Sequence, residues 1–200
     1  MSAFFAMGLF ALSMSISPGP VNLLTLSTGV NHGFRRALPF VSGATVGFTL
    51  ILLLVGLGVG ELAVQNEVLM NTLGLCGCVF LIYLGFKIMR ANPDLTINRA
   101  PIPTFMEGAI LQWLNPKAWI ASLAGTTAFN TAGSMSTLMI FVLLYFLICY
   151  ASIASWALTG DKIRAVLSSA TALKALNIIM GGALILVAGY LALQQGMLAG

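Results

Sequence analysis

The chain has 200 residues, 59% of them hydrophobic and only 7% charged, with a formal net charge of +4 and a mean hydropathy of +1.00. A soluble domain carries about 25% charged residues, so nine Lys and Arg with five Asp and Glu cannot coat this much apolar mass in water. The basic residues are scattered through short breaks with no interleaved aromatics, which argues against a nucleic-acid partner.

Spans of roughly 20 residues cross about 30 Å of hydrocarbon, and apolar runs separated by polar breaks predict six of them. They cover about 3–29, 37–59, 69–89, 104–129, 135–158 and 173–196, a single transmembrane domain over 1–200. The runs are long and continuous, whereas barrel strands would alternate over about 10 residues. The expected fold is therefore an all-α integral membrane protein. The first span lacks a basic leader and a small-x-small cleavage site, so it is expected to be retained.

Span one is interrupted by Ser17-Pro18-Gly19-Pro20, with Asn22 just beyond. Proline has no N–H and clashes with the preceding turn, so carbonyls around Ser13–Ile16 should lose their helical partners. A second half-helix should begin near Val21, with Pro20 at its first position. Its free N–H groups and positive dipole end suit a carboxylate, and the freed carbonyls suit an ammonium group. Such a break presents both signs to a zwitterion, which points to an amino acid. The bland alternative is a kink absorbed by neighbouring helices.

The break after span one, Asn31–Arg36, holds Arg35 and Arg36, and His32 is read there as a solvated side chain. Gly43 and Gly47 in span two, and Gly74 and Gly77 in span three, should allow close helix contact. Cys76, Cys78 and Cys149 all lie in apolar runs, offer neither a disulfide framework nor a zinc spacing, and read as small packing residues. Tyr83 is read either as cavity-lining or as an interior aromatic.

Span four is interrupted by Leu114-Asn115-Pro116-Lys117, whose proline lies 98 residues after Pro18. Paired broken helices in corresponding positions mark binding sites in inverted-repeat transporters, so spans one to three and four to six are read as two inverted three-helix repeats. Ser15, Pro18, Asn22, Thr25 and Gly29 share one helical face, as do Gln112, Asn115, Trp119, Ser122 and Thr126; such stripes should face the interior. For Ser15, Thr25 and Thr126 the expected role is interhelical hydrogen bonding. Asn22 and Asn115, beside the breaks, are the expected ligand contacts. Lys117 either lies mid-membrane, where an unpaired ammonium costs about 2.5–3.5 kcal/mol on insertion scales, or snorkels to the interface. Glu107 is read as an interfacial partner for Arg99 or Lys87.

Charge orients the bundle. Every basic residue but Lys117, namely Arg35, Arg36, Lys87, Arg90, Arg99, Lys162, Arg164 and Lys174, falls in the breaks after spans one, three and five, the last at Gly160–Ala172. The break at Gly60–Glu67, on the other side, carries Glu61 and Glu67 instead. The positive-inside rule makes the basic side cytoplasmic and both termini external.

Ser17-Pro18-Gly19-Pro20-Val21-Asn22 followed by His32-Gly33-Phe34-Arg35-Arg36 resembles the opening of the lysine exporter (LysE/RhtB) family. Tyr83-Leu84-Gly85-Phe86-Lys87, then Phe105 through Leu114-Asn115-Pro116-Lys117, then Ala175-Leu176-Asn177 before Gly181-Gly182 match its later landmarks in order. The Ser2-Ala3-Phe4 and Asn31–Arg35 stretches look nearest to its cysteine/O-acetylserine branch. The resemblance implies a multi-pass exporter of amino acids or their derivatives in the bacterial inner membrane, driven by the proton gradient and needing no cofactor or metal. It points to Pro18, Gly19, Pro20, Asn22, Asn115, Pro116 and Lys117 as substrate-binding residues, to which the stripe reading adds Gln112. The expected partners are a small amino acid and the lipid bilayer, and a homodimer suits so small a bundle. A channel or non-catalytic membrane subunit stays open beside this reading. A membrane-embedded enzyme is less favoured, because one loop histidine supplies neither a Ser/His pair nor a His-Glu-x-x-His site.

Overall fold

The computed structural model describes residues 3–58, 65–91, 102–129, 131–166 and 169–198. Their regular structure is helical: α1 (Ala3–Ile16), α2 (Pro20–His32), α3 (Phe34–Gly56), α4 (Glu67–Arg90), α5 (Phe105–Trp113), α6 (Pro116–Ala128), a 3-10 turn (Thr131–Gly133), α7 (Met135–Val166) and α8 (Ala170–Leu198). Glu61, Arg99, most of the breaks at 60–67 and 90–103, and the ends of the 1–200 range lie outside the described residues.

Helix starts follow local chemistry. The side chain of Asn66 accepts from the Leu69 amide at the head of α4, and Thr104 with Glu107 forms a reciprocal capping box at α5. Pro20 and Pro116 stand at the first positions of α2 and α6, where a missing N–H leaves no hydrogen bond unmade.

Four helices, α3, α4, α7 and α8 (over Ala170–Leu193), are long and apolar enough to cross a membrane. The pair α1 and α2 makes a fifth candidate, bent by 62° at the proline break. At 14 and 13 residues, neither half spans about 30 Å alone. The pair α5 and α6 fills the predicted fourth span but does not reach the same standard of length and apolarity.

Two boundaries differ from expectation. The predicted break at Asn31–Arg36 shrinks to Gly33 alone, whose φ of +84° suits a residue without a side chain. The predicted break at Gly160–Ala172 is still helix as far as Val166, because α7 runs for 32 residues and carries Asp161, Lys162 and Arg164 past the apolar zone.

The helices pack in a crossed pattern: α3 lies along α5 and α6, α7 along α1 and α2, α4 along α8, and α3 against α7. Close approach at glycine makes these seams. A Cβ on Gly29 would strike the Ala157 carbonyl, and one on Gly160 that of Leu26. In the other seam a Cβ on Gly43 would strike the Phe105 carbonyl, and one on Gly108 that of Phe40. Gly77 also sits tightly, as the sequence suggested, and so does Gly181, whereas Gly182 faces open space. Lys87 and Glu107 form the expected ion pair at 2.7 Å, and Lys174 Nζ donates to the carbonyls of Met89 (2.9 Å) and Ala91 (3.3 Å).

Candidate functional site

Both breaks open on one cavity of about 60 Å³. Gly19, Pro20 and Asn22 contribute from the first, and Gln112, Asn115 and Lys117 from the second. Lys117 Nζ donates to Ser17 Oγ across the gap at 3.2 Å, so the two interruptions touch. Six of the eight expected binding residues therefore meet. The exposed Pro18 is not among the lining residues, and Pro116 lines a separate, smaller void of about 10 Å³ with Leu81, Leu111 and Leu114.

The freed carbonyls are not left for a ligand. Asn22 Nδ2 donates to the carbonyls of Ser15 and Ser17, both at 2.8 Å. Trp156 Nε1, from α7, donates to Ile16 O at 3.2 Å, and Ser17 Oγ to Met14 O at 3.1 Å. At the second break Trp119 Nε1 donates to Trp113 O at 3.0 Å. Protein donors thus answer the carbonyls of Met14, Ser15 and Ile16, three of the main-chain acceptors expected to hold an ammonium group, as a site out of water requires.

Donors remain at one place. Gly19, the residue before α2, has no side chain to cap it, and the Val21 and Asn22 amides have no hydrogen-bond partner among the described residues. At α6 the Asn115 side chain accepts from Lys117 N at 3.1 Å and the Asn115 carbonyl from Ala118 N at 2.9 Å. Asn22 and Asn115, expected as ligand contacts, are thus partly occupied by backbone. Gln112 is buried and makes no side-chain hydrogen bond among the described residues.

Several wall residues escaped the sequence reading. Phe48 and Tyr145 stack with ring centroids 4.5 Å apart, and both line the cavity with Cys149 and Ile153. Cys149 is a buried wall residue, and Cys76 is exposed on an outer face. Ser15 lines the cavity with its buried Oγ turned to Tyr145 and Cys149 of α7. Thr25 and Thr126 bond back to Val21 O (2.8 Å) and Ser122 O (2.9 Å) in their own helices. Tyr83 points outward, 55% exposed and stacked on Phe80, and lines no described cavity. Apart from the exposed Pro18 and the half-buried Asn115, the two polar stripes are interior, with Thr25 and Ser122 fully buried. No cluster of His, Cys, Asp and Glu capable of holding a metal occurs among the described residues.

Apolar helices closing round a small cavity of mixed polar and apolar lining define a multi-span membrane protein with an interior site. The chain belongs to the LysE type translocator family, whose model matches residues 12–195. It is 32% identical over 132 residues to a cysteine/O-acetylserine efflux protein of Salmonella choleraesuis, covering 66% of this chain and 64% of that protein. The corresponding protein of Escherichia coli K12 is 30% identical over 131 residues, with the same coverage. The chain thus spans 64% of the length of these relatives. A homoserine/homoserine lactone efflux protein of Salmonella typhimurium is 25% identical over 195 residues, covering 94% of this chain and 95% of that protein. No solved structure matches the chain.

Proposed function

We propose that the protein exports amino acids or close derivatives across the bacterial inner membrane by proton-coupled alternating access, with the cavity between the two breaks as the substrate site. The meeting of both proline breaks on one cavity carries this reading. The uncapped amides of Val21 and Asn22, reinforced by the Lys117 ammonium, take the substrate carboxylate. The side-chain oxygens of Gln112 and Asn22 take its ammonium, since the freed carbonyls are already bonded. Pro18 and Pro116 hold the breaks open rather than touch substrate. The efflux activities of the relatives support amino acids as cargo.

Two inverted three-span repeats account for the crossed packing. Exchanging spans one with four, two with five and three with six turns the α3 seam with α5 and α6 into the α7 seam with α1 and α2, and returns the α4–α8 pair to itself. The basic breaks then lie in the cytoplasm and both termini in the periplasm.

The test is export from proteoliposomes loaded with single amino acids, under an imposed proton gradient and with an uncoupler. Gradient-driven export of at least one amino acid is expected, with Lys117→Met reducing it about tenfold, the scale of one charge-assisted hydrogen bond lost from the carboxylate. Wild-type rates in that variant would remove Lys117 from the site. Flux indifferent to the uncoupler would favour a channel.

A further inference from the structure

A second cavity, of about 30 Å³, lies between α2 and the end of α4, lined by Thr28, Asn31, His32, Lys87 and Ala91. Asn31 is nine residues beyond Asn22 on the same helix, roughly 14 Å along its axis. Beside it α2 is clasped to α8: Asn31 Nδ2 donates to Asn177 Oδ1 at 2.7 Å, and Asn177 Nδ2 returns a bond to Asn31 Oδ1 at 2.8 Å. The next residue, His32, is the chain's one histidine. Expected to be solvated, it is only 8% exposed, because α2 continues through it and the turn waits for Gly33. Its Nδ1 is buried without a partner, and Nε2 makes no hydrogen bond to protein among the described residues.

An imidazole with no protein partner costs stability as it stands and gains most from water. Burial of the ring, and after it the charges around, favour its neutral form in the packed state. Arg36 stands on α3, Arg164 on α7 and Lys87 on α4, all three near enough to act on the ring. The anions nearby are Asp161 of α7, whose carboxylate faces Gly33, and Glu107 of α5, which is held by Lys87 and by the Thr104 amide. Lys174 of α8 is turned to main-chain carbonyls at the end of α4. A proton arriving on His32 therefore meets three cations and the loss of water in the packed state, with Asp161 the one nearby carboxylate that no ion pair holds among the described residues, and hydration of the ring relieves it. Linkage then requires that protonation favour the open arrangement, since a ligand shifts an equilibrium toward the state that binds it better.

We propose that His32 is an acid-operated latch on this cavity: neutral, it stays packed behind the Asn31–Asn177 clasp; protonated, it draws in water and parts α2 from α8. The proposal goes beyond the transport reading, and its test reads main-chain opening rather than export, so that either can fail without the other.

Amide hydrogen exchange of residues 24–32 is measured on the full chain in detergent at pH 7.5 and 5.5, corrected for the intrinsic pH dependence of exchange. Protection in the wild type should fall about tenfold on acidification, because pH 5.5 lies about one unit below the ordinary histidine value of about 6.5 while burial and the neighbouring cations hold the packed ring well below it. His32→Gln, which cannot be charged, should keep the high-pH protection at both values. His32→Arg, permanently charged, should show the low-pH pattern at both. A wild type with no change, a glutamine variant that still opens in acid, or an arginine variant that stays closed would each overturn the latch. Residues 41–52 of α3 serve as an internal control, because global unfolding would expose them as well.

Discussion

The two proline breaks are built alike and end differently. Each places proline at the first position of its second half-helix, and in each an indole, from α7 at the first break and from α6 itself at the second, bonds a carbonyl left over from the first half. At the second break Asn115 turns its own oxygen onto the amide of Lys117, so the positive end of α6 is answered from within. At the first break the capping position is Gly19, and the amides of α2 stay open to the cavity. The asparagine of that break, Asn22, turns backward instead and bonds the carbonyls of Ser15 and Ser17. One dipole end is closed and the other is left open. Two breaks alike in sequence thus need not be alike in electrostatics.

The sharpest way to break this comparison is to close the open end. Gly19 has extended backbone with φ −167°, and its nearest obstacle to a Cβ is Ser17 O at 4.0 Å, so a side chain fits. Gly19→Asp should fold normally, with a carboxylate where the guest anion belongs. Like-charge placement costs several kcal/mol, so amino-acid export should fall about a hundredfold while the melting temperature in detergent holds or rises. Unchanged export would mean that the α2 amides bind nothing.

Asn22→Leu should act on structure first. It strips two carbonyls of their donor at about 1–3 kcal/mol each, which should lower the unfolding midpoint in detergent and take export down with it. An unchanged midpoint would mean that water replaces the amide freely. Asn115→Ala is the smallest change, the loss of one helix cap at about 1 kcal/mol. Export should fall less than about threefold. A larger fall with an intact melting temperature would put the closed end in contact with substrate after all.

Much of this was legible beforehand, for reasons that lie in particular residues. Apolar runs located every helix, since only a buried or lipid-facing segment tolerates so few charges, and Pro20 and Pro116 marked the half-helix starts because ring geometry admits few other positions. The interior facing of Thr25, Gly29, Ser122 and Thr126 followed from their spacing. What was not legible depends on distant partners. Nothing near Ile16 announces that Trp156, 140 residues away, will cover its carbonyl. His32 looked like a loop residue because its neighbours Asn31 and Gly33 are turn formers, yet Asn177, 146 residues on from Asn31, gives that asparagine a buried place in a helix. The extension of α7 was hidden by Gly160, which resembles a stop signal and is instead the point where α2 comes closest.

The glycine seams bear on how the bundle moves. Where main chain rests on main chain, as at Gly29 with Ala157 and Gly43 with Phe105, no rotamer can swing aside to let one rod slip past the other. Each seam is in effect a weld, joining α2 to α7 and α3 to α5 as two jaws. Between the jaws lie the flat faces of Phe48 and Tyr145, planar surfaces able to glide where knobbed ones would lock, so the proposed alternating access would divide the bundle along that line.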